Sequence, residues 1–335
     1  MNSIFSRFST LLLLAALSLG ISACAPEEPS SGATTDREGP FEVITTTGMV
    51  ADLVRAAGGE HFAVRSLLGE GTDPHEYSPT RRDVLALQEA DLIFYNGLML
   101  EGKMTDILVR MARRGQPVYA VTEFVEERED YLLMDEDDED YFDPHVWMDV
   151  QGWILALGVV RDALTEFLPA EEATFRQNAD AFRAELEELD HYSREAIASI
   201  PEERRVLVTA HDAFQYMSRA YGIEVRGIQG ISTETEAGVR DIENVVRFVT
   251  ERNIPAIFVE TSVSDRNVRA VIEGARAKGH EIQIGGELFS DAMGPEGTYE
   301  GTYIGMIDHN VTTIVRALGG EAPEGGMQGR LGGGN

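Results

Sequence analysis

The sequence predicts an α/β protein of two lobes with mostly parallel sheets, joined by one long spine helix. Three observations lead there. Short β-branched or aromatic runs alternate with helical stretches between Phe41 and Val121, the alternation returns after residue 204, and a single stretch of helical period lies between them. A chain of 335 residues also exceeds the size at which one core keeps growing, which favours two globular units.

In the first half, Phe41 to Thr45, Ala63 to Leu67, Asp91 to Tyr95 and Pro117 to Val121 read as strands. Met49 to Ala57, Arg81 to Ala90 and Lys103 to Arg113 read as helices between them. Strands separated by helices pair in parallel, with both sheet faces covered. In the second half Arg205 to Thr209, Glu224 to Ile228, Ala256 to Glu260 and Glu281 to Ile284 are the strands. The helices there fall near Phe214 to Ala220, Ala237 to Glu251, Arg266 to Lys278 and Tyr303 to Leu318.

Between the halves, Phe175, Ala179, Phe182, Leu186, Leu189, Ala196 and Ile200 recur at helical spacing, charged residues fill the other faces, and Pro169 suits a first turn. The expected linker helix over 168–200 would run about 45 Å at 1.5 Å per residue, long enough to lie along both lobes. The lobes are then expected at 40–167 and 201–320. The tail 321–335 is so rich in glycine that disorder is expected.

The N-terminus reads as a targeting segment over 1–23: Arg7 supplies a positive charge, and Leu11 to Ile21 is apolar but too short to span a bilayer comfortably. It ends in Ile21-Ser22-Ala23-Cys24, which resembles a bacterial lipobox, so lipidation of Cys24 is expected. Cys24 is the only cysteine, which leaves none for a disulfide. Residues 24–39, with Pro26, Pro29, Ser30, Ser31 and Gly32, suit a flexible tether from that anchor. The protein is therefore expected at the cell envelope, in the periplasm or on the outer face of the membrane.

A formal charge of −30 argues against nucleic acid as a partner and makes cations the natural guests. Lys103 and Lys278 are the only lysines; such a composition also fits an organism adapted to high salt.

Seven histidines are present, and His61, His191, His280 and His309 have contexts that suggest only surface or helix positions. Three stand apart. His75 and His145 each end an Asp-Pro-His triplet in a turn-rich segment, and His211 follows the strand that opens the second half. Ligands of open α/β sheets bind beyond the carboxyl ends of strands, and a preceding proline limits the freedom a loop loses on binding. Imidazole is the commonest metal ligand near neutral pH. A carboxylate would complete a set of four, and spacing alone leaves Asp291, Glu260, Asp212 and Glu287 as candidates.

The segments Thr45 to Val54, Gly69 to Pro79, Ala90 to Glu101, Asp143 to Asp149, Val208 to Gly222, Ile228 to Glu236 and Gly285 to Gly294 resemble the successive motifs of the TroA-like zinc and manganese solute-binding proteins of ABC transporters (cluster A-I). The resemblance runs in order over nearly all of the chain that follows Cys24. It implies two α/β lobes with one metal ion between them, Zn2+ or alternatively Mn2+, held by His75, His145, His211 and Asp291. It further implies a monomeric receptor that delivers the ion to a membrane permease and its ATPase. Zinc-binding relatives can carry a histidine-rich loop before the second ligand, whereas this chain has the acidic run 135–140, a solvated loop by composition.

A secreted zinc-dependent hydrolase is the alternative. Such an enzyme keeps an open coordination position and often shows a local His-Glu-x-x-His helix, which is absent here. Four protein ligands suit carriage rather than catalysis, so no enzymatic activity is expected. An additional role as a surface adhesin has no residue that calls for it.

Overall fold

The computed structural model describes residues 39–123, 131–135 and 141–332. The targeting segment, Cys24, nearly all of the tether, most of the acidic run and the last three residues lie outside the described residues. Among the described residues no helix is long and apolar enough to cross a membrane.

The first lobe holds strands β1 (Phe41–Thr45), β2 (Phe62–Ser66), β3 (Leu92–Tyr95) and β4 (Val118–Ala120), ordered β2-β1-β3-β4 and parallel throughout. Helices α1 (Gly48–Gly58), α2 (Arg81–Glu89) and α3 (Gly102–Arg113) make the crossovers. Their starts are locally encoded: Thr47 caps α1 by accepting from the Val50 N–H, and Thr80 and Asp83 form a reciprocal capping box at α2.

A helix that the sequence pattern did not reveal, α4 (Val150–Phe167), follows the second Asp-Pro-His triplet. Trp153, Ala156, Leu157, Val160 and Leu164 are buried, and Leu155 and Gly158 interrupt the outer side between Gln151, Asp162 and Glu166, so the polar face that makes an amphipathic helix visible in sequence is weak. The expected linker helix is α5 (Glu172–Ala198), preceded by a short 3-10 turn at Pro169–Glu171. It packs on α1 and α4 on one side. Asn178 Nδ2 donates to the Ala57 carbonyl at 3.1 Å there, and Tyr192 meets Thr312 of the second lobe at 2.7 Å.

The second lobe contains two parallel pairs, β5 (Val206–His211) with β6 (Glu224–Gln229) and β7 (Ala256–Glu260) with β8 (Gln283–Leu288), and β5 lies beside β7. Around them run α6 (Gln215–Tyr221), α7 (Val239–Glu251), α8 (Arg266–Ala277) and α9 (Tyr303–Ala317). One core continues through both lobes, from Val50, Trp147 and Trp153 to Leu207, Tyr303 and Ile307, while each sheet has a smaller cluster on its other face.

The tail corrects an expectation. Over 321–332 it folds back onto the second lobe: the Met327 N–H donates to both carboxylate oxygens of buried Asp308 at 2.8 and 2.9 Å, and the Arg330 guanidinium lies over the Tyr299 ring at 4.4 Å. Gly326 has φ +73°, and a Cβ there would meet the Asp308 carboxylate at 2.5 Å. Glycine here permits a close turn over a buried carboxyl group, a role that composition does not distinguish from disorder.

Candidate metal centre

His75 lies in the loop after β2, His145 in the turn before α4, His211 at the end of β5 and Asp291 three residues beyond β8. The fold brings all four together. One ligand atom from each lies within 4.8 Å of the others, and all four residues are buried. His75 Nε2 is 3.4 Å from His145 Nε2. Asp291 sits between the other two rings, its Oδ1 3.3 Å from His145 Nε2 and its Oδ2 3.3 Å from His211 Nε2. His211 Nε2 and Asp291 Oδ1 are buried and make no hydrogen bond, although both belong to strongly polar groups aimed at the same point. Buried polar atoms are usually satisfied, so a convergent orphan pair marks a place built for a further partner.

Behind these atoms stands a layer of carboxylates. Each of the three histidines has its backbone N–H donated to one: His75 to Asp73 Oδ1 at 2.8 Å, His145 to Asp143 Oδ1 at 2.9 Å and His211 to Glu260 Oε1 at 2.9 Å. Two of the rings are held as well. His145 Nδ1 is 2.7 Å from Asp143 Oδ1, and His211 Nδ1 is 2.5 Å from Glu260 Oε2. Those contacts hold one proton at Nδ1 on the carboxylate side, so that loss of the second proton leaves each Nε2 with its lone pair directed inward. Asp73 does something else with its second oxygen, which accepts the Thr233 hydroxyl from the opposite lobe at 2.6 Å. Ser262 donates to Asp291 Oδ2 at 3.2 Å and fixes that carboxylate.

The electrostatics follow from burial and these neighbours. Burial pushes the His75 imidazole down to about 3, helped by His145 and His211 and opposed by Asp291. For His145 burial acts in the same direction, but Asp143 and Asp291 outweigh it and lift the imidazole to about 9. His211 is raised in the same way, by Glu260 and Asp291 against burial. Burial would raise Asp291, yet His211 and His145 hold it well below the usual carboxylate range. Asp291 offsets part of the charge of two imidazolium-like rings, and a divalent cation that replaces their two protons leaves the net charge unchanged.

Of the carboxylates left open by spacing, Glu260 stands behind His211 and Asp291 faces the cluster. Asp143 and Asp73, the supporting members of the two triplets, were not singled out from sequence. The signal was present in the triplet itself, because an Asp two residues before a histidine can accept that histidine's backbone N–H.

Comparison with known proteins agrees with this architecture. The family model "ZnuA: Zinc-uptake complex component A periplasmic" matches residues 43–317. The chain is 44% identical over 289 residues to the manganese-binding lipoprotein MntA of Bacillus subtilis, covering 86% of this chain and 92% of the relative. It is 47% identical over 276 residues to the zinc-binding protein TroA of Treponema pallidum, covering 82% and 88%. The solved structure of the periplasmic zinc-binding protein TroA from Treponema pallidum superposes with a TM-score of 0.80, covering 84% of this chain and 99% of that one. With its two α/β lobes and long helix, the chain belongs to the zinc-uptake component A family, the metal-binding receptors of ABC importers that serve a membrane permease and its ATPase.

Proposed function

We propose that this receptor captures one Zn2+ ion per chain through His75, His145, His211 and Asp291, with Mn2+ as a weaker second cargo. The observation that carries the reading is the convergence of three imidazoles and one carboxylate, all buried, within 4.8 Å. Borderline nitrogen donors favour zinc, and the general affinity order places zinc above manganese. The names of the relatives point both ways, one to manganese and one to zinc, so the donor set decides the proposal.

Four protein donors fill a tetrahedral shell and leave no position for a reactive water, which suits carriage and not hydrolysis. The chain is further proposed to be exported as a monomer and anchored to the envelope by a lipid on Cys24. The Ile21-Ser22-Ala23-Cys24 motif and the lipoprotein names of relatives support that reading.

Competition titration of the metal-free protein with a chromophoric chelator tests the metal assignment. One zinc should bind per chain, more tightly than manganese. Manganese displacing zinc from the parent protein would reverse the assignment. Fractionation of cells expressing Cys24→Ser tests the anchor, and retention of that variant on membranes would remove it.

A further inference from the structure

The two lobes are not joined symmetrically around the cluster. On the side of His145 the seam is sewn by buried bonds: Trp147 Nε1 donates to the Ser290 carbonyl at 2.9 Å, the Tyr216 hydroxyl to the Asp143 carbonyl at 2.9 Å, and the Tyr303 hydroxyl to the Trp147 carbonyl at 2.7 Å. His145 thus belongs to the first lobe by sequence but is fastened to the second. With His211 and Asp291 it forms a cradle of three donors tied together across this seam.

His75 is held differently. Among the described residues no ion-pair partner sits on its ring, and its loop reaches the second lobe through far fewer groups. Asp73 Oδ2 accepts from Thr233 across the gap at 2.6 Å, while its Oδ1 holds the His75 N–H. Thr233 is itself presented by Gln229, whose Nε2 donates to the Thr233 and Thr235 carbonyls at 2.9 and 2.8 Å. Outside this bond, Lys103 Nζ donates to the Glu76 carbonyl at 3.0 Å and lies 3.9 Å from Glu234. Both ends of that outer ion pair are exposed, so it contributes little. Gly71, with φ +64°, brings the loop so near that a Cβ would meet the Thr261 carbonyl at 3.2 Å. The far end of the loop is pinned to its own lobe, where the Tyr77 hydroxyl donates to Asp83 at 2.7 Å.

Resting on the metal reading above, we propose that the ion enters and leaves on the His75 side, through opening of the 69–79 loop against the 230–237 loop, and that the Asp73 to Thr233 hydrogen bond is the clasp that sets the rate of release. Thr233 is a positioning residue: it touches no metal and acts through Asp73 on the backbone of His75. The clasp is a single hydrogen bond to a half-buried carboxylate, whereas the sewn side would need several buried bonds and aromatic packing to break together. Opening the clasp removes one donor and leaves three, which is a graded loss of hold and not a collapse of the site.

The test uses the parent protein, Thr233→Val and Thr233→Ser, each loaded with zinc and mixed with excess chelator in a stopped-flow instrument. Valine keeps the shape and removes the donor. Release should accelerate about tenfold with valine, which removes only the hydroxyl donor, and return to the parent rate with serine, which restores it. A parent rate of release in the valine variant overturns the clasp. Hydrogen exchange of the metal-free parent supplies a measure that needs no variant and no metal: the His75 and Glu76 amides should exchange faster than that of His145. Equal protection of the two regions overturns the gate. Failure of the parent to bind zinc at all would instead refute the metal reading and leaves the exchange result to decide on the gate.

Discussion

Glu260 touches His211 twice, its Oε1 accepting the backbone N–H at 2.9 Å and its Oε2 lying 2.5 Å from the ring Nδ1. The two residues end β7 and β5, which lie side by side, so the contact forms where the two strands finish. A carboxylate on the far nitrogen orients the imidazole and makes its inner nitrogen a better donor.

Replacing Glu260 by glutamine retains an acceptor for the backbone and removes the charge behind the ring. Zinc affinity should fall by roughly 10 to 100-fold with the fold intact. Chelator competition together with a circular dichroism spectrum checks this, and parent affinity would mean that the contact only orders the strand end.

Changing the donor set should change the preference. In His211→Glu an anionic oxygen replaces an imidazole, so the ratio of zinc to manganese affinity should shrink. The affinity for manganese should hold or rise while that for zinc falls, since manganese favours harder oxygen donors. Titration of both metals into the variant decides; an unchanged ratio would show that softness of the third donor does not set selectivity.

The raised His145 and His211 and the lowered His75 give a signed pH dependence. Without metal, His145 holds its proton up to about 9 and His211 is raised likewise, whereas His75 is neutral above about 3. Metal ligation requires neutral imidazole, so near neutral pH zinc must displace about one to two protons, and its affinity should increase as pH rises toward 9. Calorimetry of zinc binding in buffers of different ionisation enthalpy counts those protons directly. A proton count of zero would contradict the pairing of these rings with Asp143, Glu260 and Asp291.

A net charge of −30 makes self-repulsion a cost of folding that salt relieves. The melting temperature of the metal-free protein should therefore rise from low to molar sodium chloride. A flat curve would mean that the local ion pairs, such as Arg252 with Glu224 at 3.0 Å, already balance the surface.

Much of the molecule is legible before any coordinates. The eight strands, the long helix and all four members of the cluster were expected from pattern and resemblance, and each lies where it was placed to within a few residues. The two departures have separate causes. In helix α4 only Gln151, Asp162 and Glu166 are exposed, and apolar or small residues fill even much of its outer face, so its apolar residues carry little period against a polar background. The tail is glycine-rich, and only its contact with Asp308 distinguishes a turn from disorder.

By itself, then, the sequence determined the strands, most of the helices and the chemistry of their ends, because periodicity, capping and the Asp-Pro-His triplets act over a few residues. Spacing left several carboxylates open and the resemblance pointed to Asp291; the tertiary structure alone decided that Glu260 stands behind the cluster. Asp291 and Glu260 are equivalent as acids, and the adjacency of β7 to β5 is what puts Glu260 at the back of His211. It also decided that Asp73 and Asp143, in identical triplets, differ in use. The turn geometry they share is local, but one meets its own histidine ring and the other meets Thr233, 160 residues along the chain, across a seam that no local pattern encodes.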